Sequence, residues 1–333
     1  MLSLNKDMLL EFLGALRRSF KVAAPVKRNG MRVFDVITDE TELDLSGLPE
    51  YSAKKFYFPP REVLYDYQIT DKGVEIIPPK PPAEDVVVFG MRPCDVKAVE
   101  VTDAFFLKFG AVDPYYKARR EKITVVGIYS TAKSDSRYCD LLGQTYAEGA
   151  DLVLWDCGQY YLAEEKTVKG ERLVWAAKDL FSQTTEEPEP LDCPINFDSK
   201  AVVELPASDP LWKELGDKCF DCESCTTVCP TCVCFDIVDE PALDGKTGRR
   251  VRLLASCTTD DFTRIAGGFV FRKDEAARAR FRTLHKFDYT VKQYGMLSCT
   301  GCGRCSRECL TKVSMVDAAI KASIKKKKGA ASA

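Results

Sequence analysis

The sequence predicts an α+β chain in which a mixed α/β domain comes first and a largely helical domain, arranged around cysteines, comes second. Three observations predict it. Up to residue 181, short apolar runs alternate with segments of helical period. Residues 182–198, SQTTEEPEPLDCPINFD, are rich in Pro, Glu and Thr, the composition of a linker. Beyond them, 11 of the 15 cysteines crowd between Cys219 and Cys309. The expected divisions are therefore 1–181, the linker 182–198, a second domain over 199–324 and a flexible basic tail over 325–333.

The elements follow in order. MLSLNKDMLLEFLGALRRSF reads as an amphipathic helix, with Lys6, Asp7 and Glu11 inside its apolar stretch and no small-residue cleavage site of the kind a signal peptide carries. VFDVIT, EDVVVFG and KITVVGIY are strand-like, VKAVEVTDAFFLKF is helical, and DLVLWDCGQYYLAEE completes the mixed α/β set. Trp212 to Lys218 leads into the first cysteines. FRKDEAARARFRTLHKFDYTVKQYG, Phe271 to Gly295, has helix formers and a terminal Gly, so it predicts a long helix delivering the last cysteines, with its arginines solvated or facing them. Lys325 to Lys328 form the basic end of the chain and need no partner to explain them.

Composition excludes several classes. At 333 residues, 45% hydrophobic and 29% charged, the chain is neither collagenous, disordered nor a disulfide miniprotein, and no uncharged run is long enough to span a bilayer. The cytoplasm is therefore the expected location. A cytoplasmic chain does not keep its cysteines as disulfides, and an odd count would leave one unpaired. Counted from Ser199, the second part carries +6 and the first part −8. A basic half ordinarily suggests nucleic acid. Here two cubane clusters of about −2 each would offset most of the excess, so no nucleic-acid partner is expected.

The cysteine spacing is specific. Cys219, Cys222, Cys225 and Cys229 repeat as Cys299, Cys302, Cys305 and Cys309, 80 residues on at every position. Each run is C-x2-C-x2-C-x3-C, in which three thiolates on a tight loop cap three irons and the fourth serves the neighbouring cluster. The expected sets are Cys219, Cys222, Cys225 and Cys309 for one [4Fe-4S] cluster, and Cys299, Cys302, Cys305 and Cys229 for the other: a dicluster, ferredoxin-like domain. Structural zinc has no use for the third cysteine of each run. Ser224, Thr226, Gly301, Gly303 and Ser306 let backbone N–H groups approach the sulfides. Pro230 follows the first run and Leu310 the second, so the two clusters should differ in potential.

Three further cysteines, Cys232, Cys234 and Cys257, predict either a third iron–sulfur site or a set of small buried hydrophobes. Cys94, in FGMRPCDVKAVE, stands where a strand ends and a helix opens at Pro93, as a structural residue or an acidified thiol. Cys139, Cys157 and Cys193 alone say little. His285, the single histidine, is expected to be packed. No G-x-G-x-x-G, G-x4-G-K-[ST] or Ser/His/Asp set is present, so no catalytic residue is expected.

On FYFPPREVLYDY, FGMRPCD, YYKARREK, CxxCxxCTTVCPTCVCFDIVD, RRVRLLASC…IAGGFVFR, RFRTLHKFDY and CTGCGRCSREC, the chain resembles the β subunits of cytosolic sulfhydrogenases and the dicluster iron–sulfur subunit of anaerobic sulfite reductase over most of its length. The resemblance implies an electron relay between a flavin-containing NAD(P)H-type partner and a catalytic partner: a nickel–iron hydrogenase, a sulfite reductase or a heterodisulfide reductase. It also places Cys232, Cys234 and Cys257 in the family pattern. Relatives carry further cysteines where this chain has Ser130 and Arg137 beside Cys139, so an N-terminal cluster on Cys94 and Cys139 is expected to be absent. The Pro that follows the last cysteine in relatives is Leu310 here. The alternative function is reduction of a sulfur compound at a site-differentiated cluster on Cys232, Cys234 and Cys257. A structural zinc scaffold is a third.

Overall fold

The computed structural model describes residues 1–130, 142, 146–189 and 204–322. Cys139, Cys193, the second part of the expected linker and the basic tail lie outside them.

Four runs of β-branched and apolar residues build a parallel centre. β2 (Lys21–Arg28), β6 (Val86–Met91), β7 (Ile123–Ser130) and β8 (Leu152–Asp156) lie side by side in that order. Parallel strands are covered on both faces, which is why VVVFGM and ITVVGIYS are nearly continuous in apolar residues. Their side chains alternate between two cores. Val87 and Phe89 pack with Leu13 and Leu16 of α1 (Leu9–Arg17), while Val88 and Val125 pack with Val96 and Val99 of α2 (Pro93–Asp103) on the other face.

Antiparallel strands close the sheet on both sides. β3 (Met31–Val36) flanks β2, and β9 (Tyr160–Glu165), β1 (Leu2–Asn5) and β10 (Phe181–Gln183) extend it beyond β8. β1 corrects an expectation. The helix read over the first 20 residues begins only at Leu9, because Leu2–Asn5 is taken up between β9 and β10, and the Asn5 side chain then accepts the Asp7 N–H at 3.0 Å to end the strand.

A second sheet joins residues from either side of the linker. β4 (Arg61–Thr70) and β5 (Gly73–Ile77) pair with the hairpin β11 (Phe235–Pro241) and β12 (Thr247–Leu254), in the order β11-β12-β4-β5. Across it, the buried Arg252 meets Glu62 and Asp113 and lies over the rings of Phe58, Phe106 and Phe235.

The cysteines rest on a helical layer. The helix Pro210–Gly216 packs through Trp212 and Leu215 on the long helix that opens at Glu275. Gly216 is required there: a Cβ would stand 2.6 Å from the Ala276 nitrogen. The long helix is capped by Asp274, loosens into a π turn over His285–Tyr289 and resumes over Thr290–Tyr294. It ends at Gly295 with φ 72°, as the sequence predicts.

Candidate metal centre

The two cysteine motifs share one backbone. The first turns into the short helix Ser224–Thr227 and the second into Arg304–Glu308, 80 residues later. Asp221 and Glu223 take φ of 53° and 62°, and their counterparts Gly301 and Gly303 take 67° and 72°. Successive N–H groups in such a turn point into one concavity, which suits an anion. The Asp221 N–H donates to the Cys219 sulfur, and the Gly301 N–H to the Cys299 sulfur.

The correspondence continues past the fourth cysteines and there it crosses over. The Thr231 hydroxyl donates to the Ser298 carbonyl at 2.6 Å, and the Thr311 hydroxyl to the Lys218 carbonyl at 2.6 Å. Each threonine, two residues beyond its own motif, is thus tied to the residue before the first cysteine of the other. Cys309 accordingly lines one cavity with Cys219, Cys222 and Cys225, among Phe220, Val313 and Met315, and Cys305 reaches the same cavity. The sulfur of Cys229 is hydrogen-bonded to Cys232 and lies within electrostatic reach of Cys299, Cys302 and Cys305, as well as of Cys225.

Burial separates the two groups. Cys222 is exposed, and Phe220 and Leu310 beside it are 73% and 78% exposed. Around the second motif Cys302, Ser298, Thr300 and Arg304 are buried. Burial pushes the thiols of Cys219, Cys225 and Cys305 up to about 11, and Arg282 opposes that rise at Cys225 and Cys305.

The N-terminal part supplies the cover. Cys94, at the opening of α2, packs on Cys302 and Leu48. Next to it Asp95 receives Arg304 in a two-pronged pair at 2.6 and 2.8 Å, and the Arg304 Nε donates to the Pro49 carbonyl at 2.7 Å. Both partners are almost wholly buried. Sequence reasoning missed this pair; its trace is a charged residue in each of the tight motifs MRPCD and CGRC.

Other predicted residues fall as follows. Cys232 and Cys257 are buried and Cys234 is half-buried, hydrogen-bonded to Cys257. Cys157 sits, half-buried, between β8 and β9. His285 stacks on Phe281 at 5.9 Å between ring centroids, and burial, with Lys286 and Arg282 beside it, lowers its pKa to about 4. Among the described residues no three His, Cys, Asp or Glu converge closely enough for a single metal ion. Eight thiols in two spread sets, with an N–H donor on the first sulfur of each and a cavity at the first set, fit multinuclear anionic groups.

Residues 218–313 match the family model of the 4Fe-4S dicluster domain. The chain carries a 4Fe-4S dicluster domain. It is also similar, at 29% identity over 94% of its own length and 95% of the relative's, to the sulfhydrogenase 2 subunit beta of Pyrococcus furiosus. The resemblance read from the motifs stands, and the chain is an iron–sulfur electron-transfer subunit. No solved structure matches it. Among the described residues no helix is long and apolar enough to cross a membrane.

Proposed function

We propose that the chain is a relay subunit holding two [4Fe-4S] clusters in the cytoplasm, one on Cys219, Cys222, Cys225 and Cys309, the other on Cys299, Cys302, Cys305 and Cys229. It would pass single electrons between a flavin-containing NAD(P)H-type subunit and a catalytic subunit: a hydrogenase, a sulfite reductase or a heterodisulfide reductase. The exchange of the Thr231 and Thr311 hydrogen bonds supports this reading, because each ties the chain just past one motif's fourth cysteine to the residue before the other motif's first. Bound clusters of this type supply one-electron transfer. The chain's own residues do the rest. Asp221 and Gly301 donate N–H groups to ligand sulfurs, Val313 and Met315 line the first site with apolar surface, and Arg304, Asp95 and Cys94 close the second from water. On this reading residues 199–324 carry the relay and residues 1–181 support it.

Iron and acid-labile sulfide per anaerobically prepared chain, with EPR after dithionite reduction, test the proposal. About eight irons are expected from two cubanes, and fewer overturn it. About twelve would add a third cluster, for which Cys232, Cys234 and Cys257 are the available ligands. A flavin-bearing subunit should co-purify with the native chain. The burial of Cys232 and Cys257 speaks against a sulfur substrate reaching them.

A further inference from the structure

We infer that Lys54, Arg282 and Lys286 form a buried cation triad that compensates the charge of the cysteine-bound groups and raises their reduction potentials; the inference rests on the two-cluster reading above. Six cations of the described residues are buried: Lys54, Arg252, Arg278, Arg282, Lys286 and Arg304. Three of them have carboxylates. Arg252 has Glu62 and Asp113, Arg278 has Asp221 and Glu275, and Arg304 has Asp95.

The other three meet only carbonyls, hydroxyls and sulfur. Lys54 Nζ donates to the carbonyls of Cys229 at 3.0 Å and Cys232 at 2.7 Å. Arg282 donates to the Cys225 carbonyl at 2.8 Å and lies 3.1 Å from the Cys232 sulfur, while its buried Nε has no partner. Lys286 Nζ donates to the Thr231 hydroxyl at 2.7 Å and reaches the Thr231 carbonyl at 3.3 Å. All three are at least 94% buried. Uncompensated buried charge is among the costliest features a fold can carry. These three converge on one segment, Cys225 to Cys232, which holds a ligand of each proposed cluster. Anionic sulfur is the compensation within their reach.

The placement follows from the elements. Arg282 and Lys286 continue the stripe begun by Arg278 at four-residue spacing, so one buried stripe of the long helix is cationic, beside the apolar one of Ala279, Leu284 and Phe287. Lys54 comes from the opposite side, on the turn Ala53–Phe56, and brings N-terminal charge to the C-terminal sulfurs. Reduction adds one electron and no proton, so a fixed buried cation favours the reduced form. The triad therefore does more than fill space: it sets how readily an electron enters.

The test is an EPR-monitored redox titration of the anaerobically reconstituted full chain, wild type against Lys54→Gln and Lys54→Arg. Lys54→Gln should lower the midpoints, cutting the reduced-to-oxidised ratio at a fixed potential by tenfold or more, which is 59 mV for a one-electron couple. Lys54→Arg should titrate as wild type. A Gln variant that loads its iron and titrates within threefold of wild type overturns the inference. Should only the Gln variant fail to load iron, charge and not fit separates the two, and the inference holds. Failure of both assigns Lys54 to packing and overturns it. A wild type without clusters refutes the relay reading itself, which the iron assay shows before any variant is made.

Discussion

The two cysteine loops have the same backbone and opposite surroundings. The first places Cys222 and Phe220 at the surface, and accepts Asp221 and Glu223 at positive φ. The second is covered by Cys94, Asp95 and Pro49, and uses Gly301 and Gly303 at the equivalent positions. A repeated motif therefore fixes ligand geometry without fixing exposure, which the rest of the fold decides. Solvent access and local charge are the main levers on cluster potential, so the two sites are built to differ.

The largest test of this contrast is ligand removal. Cys222→Ser, at the open loop, should reduce iron to about four per chain and leave one EPR signal. Cys302→Ser, in the covered loop, should leave little iron and a poorly folded chain. Two half-loaded, equally folded variants would erase the contrast. Next is the cover itself. Asp95→Asn leaves the Arg304 charge buried with one partner weakened, and should cost about 3–5 kcal/mol in denaturant unfolding, with the covered cluster lost first.

Backbone strain gives a smaller effect with opposite signs. Glu223→Gly relieves a positive φ that costs about 1–3 kcal/mol, more than the roughly 0.4–1 kcal/mol of chain entropy that glycine adds, and should stabilise, whereas Gly303→Ala imposes one and should destabilise by about 1 kcal/mol. Thermal unfolding with equal signs would show that the loops are not equivalent in backbone.

The smallest effect lies away from both loops. Glu42 accepts the N–H groups of Thr38 and Asp39 and pairs with Arg28, which holds its carboxyl at about 2 against an ordinary value near 4.5. A depressed pKa contributes stability above the ordinary value, lost as pH falls through the folded one. Glu42→Gln should therefore flatten the acid dependence between pH 4.5 and 2, by about 1 kcal/mol or less for this partly exposed pair, with both EPR signals unchanged.

What the sequence disclosed was local. The spacing within each cysteine motif, the strand–helix junction at Cys94 and the glycine end of the long helix each involve residues only a few positions apart, where covalent geometry restricts the answer. What it hid was long-range. Asp95 and Arg304 lie 209 positions apart, Lys54 and Cys229 lie 175 apart, and no periodicity connects them. Leu2–Asn5 misled for the same reason: its apolar residues suit a helix or a strand, and only the free edges of β9 and β10 choose. The buried cations were visible in RFRTLHKFDY as a four-residue spacing, but not which of them had acidic partners.

The sheet β11-β12-β4-β5 sets a limit on engineering. β12 is bonded on one side to its own hairpin partner and on the other to β4, from Thr247 opposite Gln68 to Leu253 opposite Arg61. A fragment begun after the linker would leave that second side bare, a row of unanswered amides and carbonyls inviting a neighbouring copy to dock. Minimal versions that keep only the cysteine-bearing half should precipitate, and graftable electron wires cut from this chain must keep Arg61–Thr70 with them.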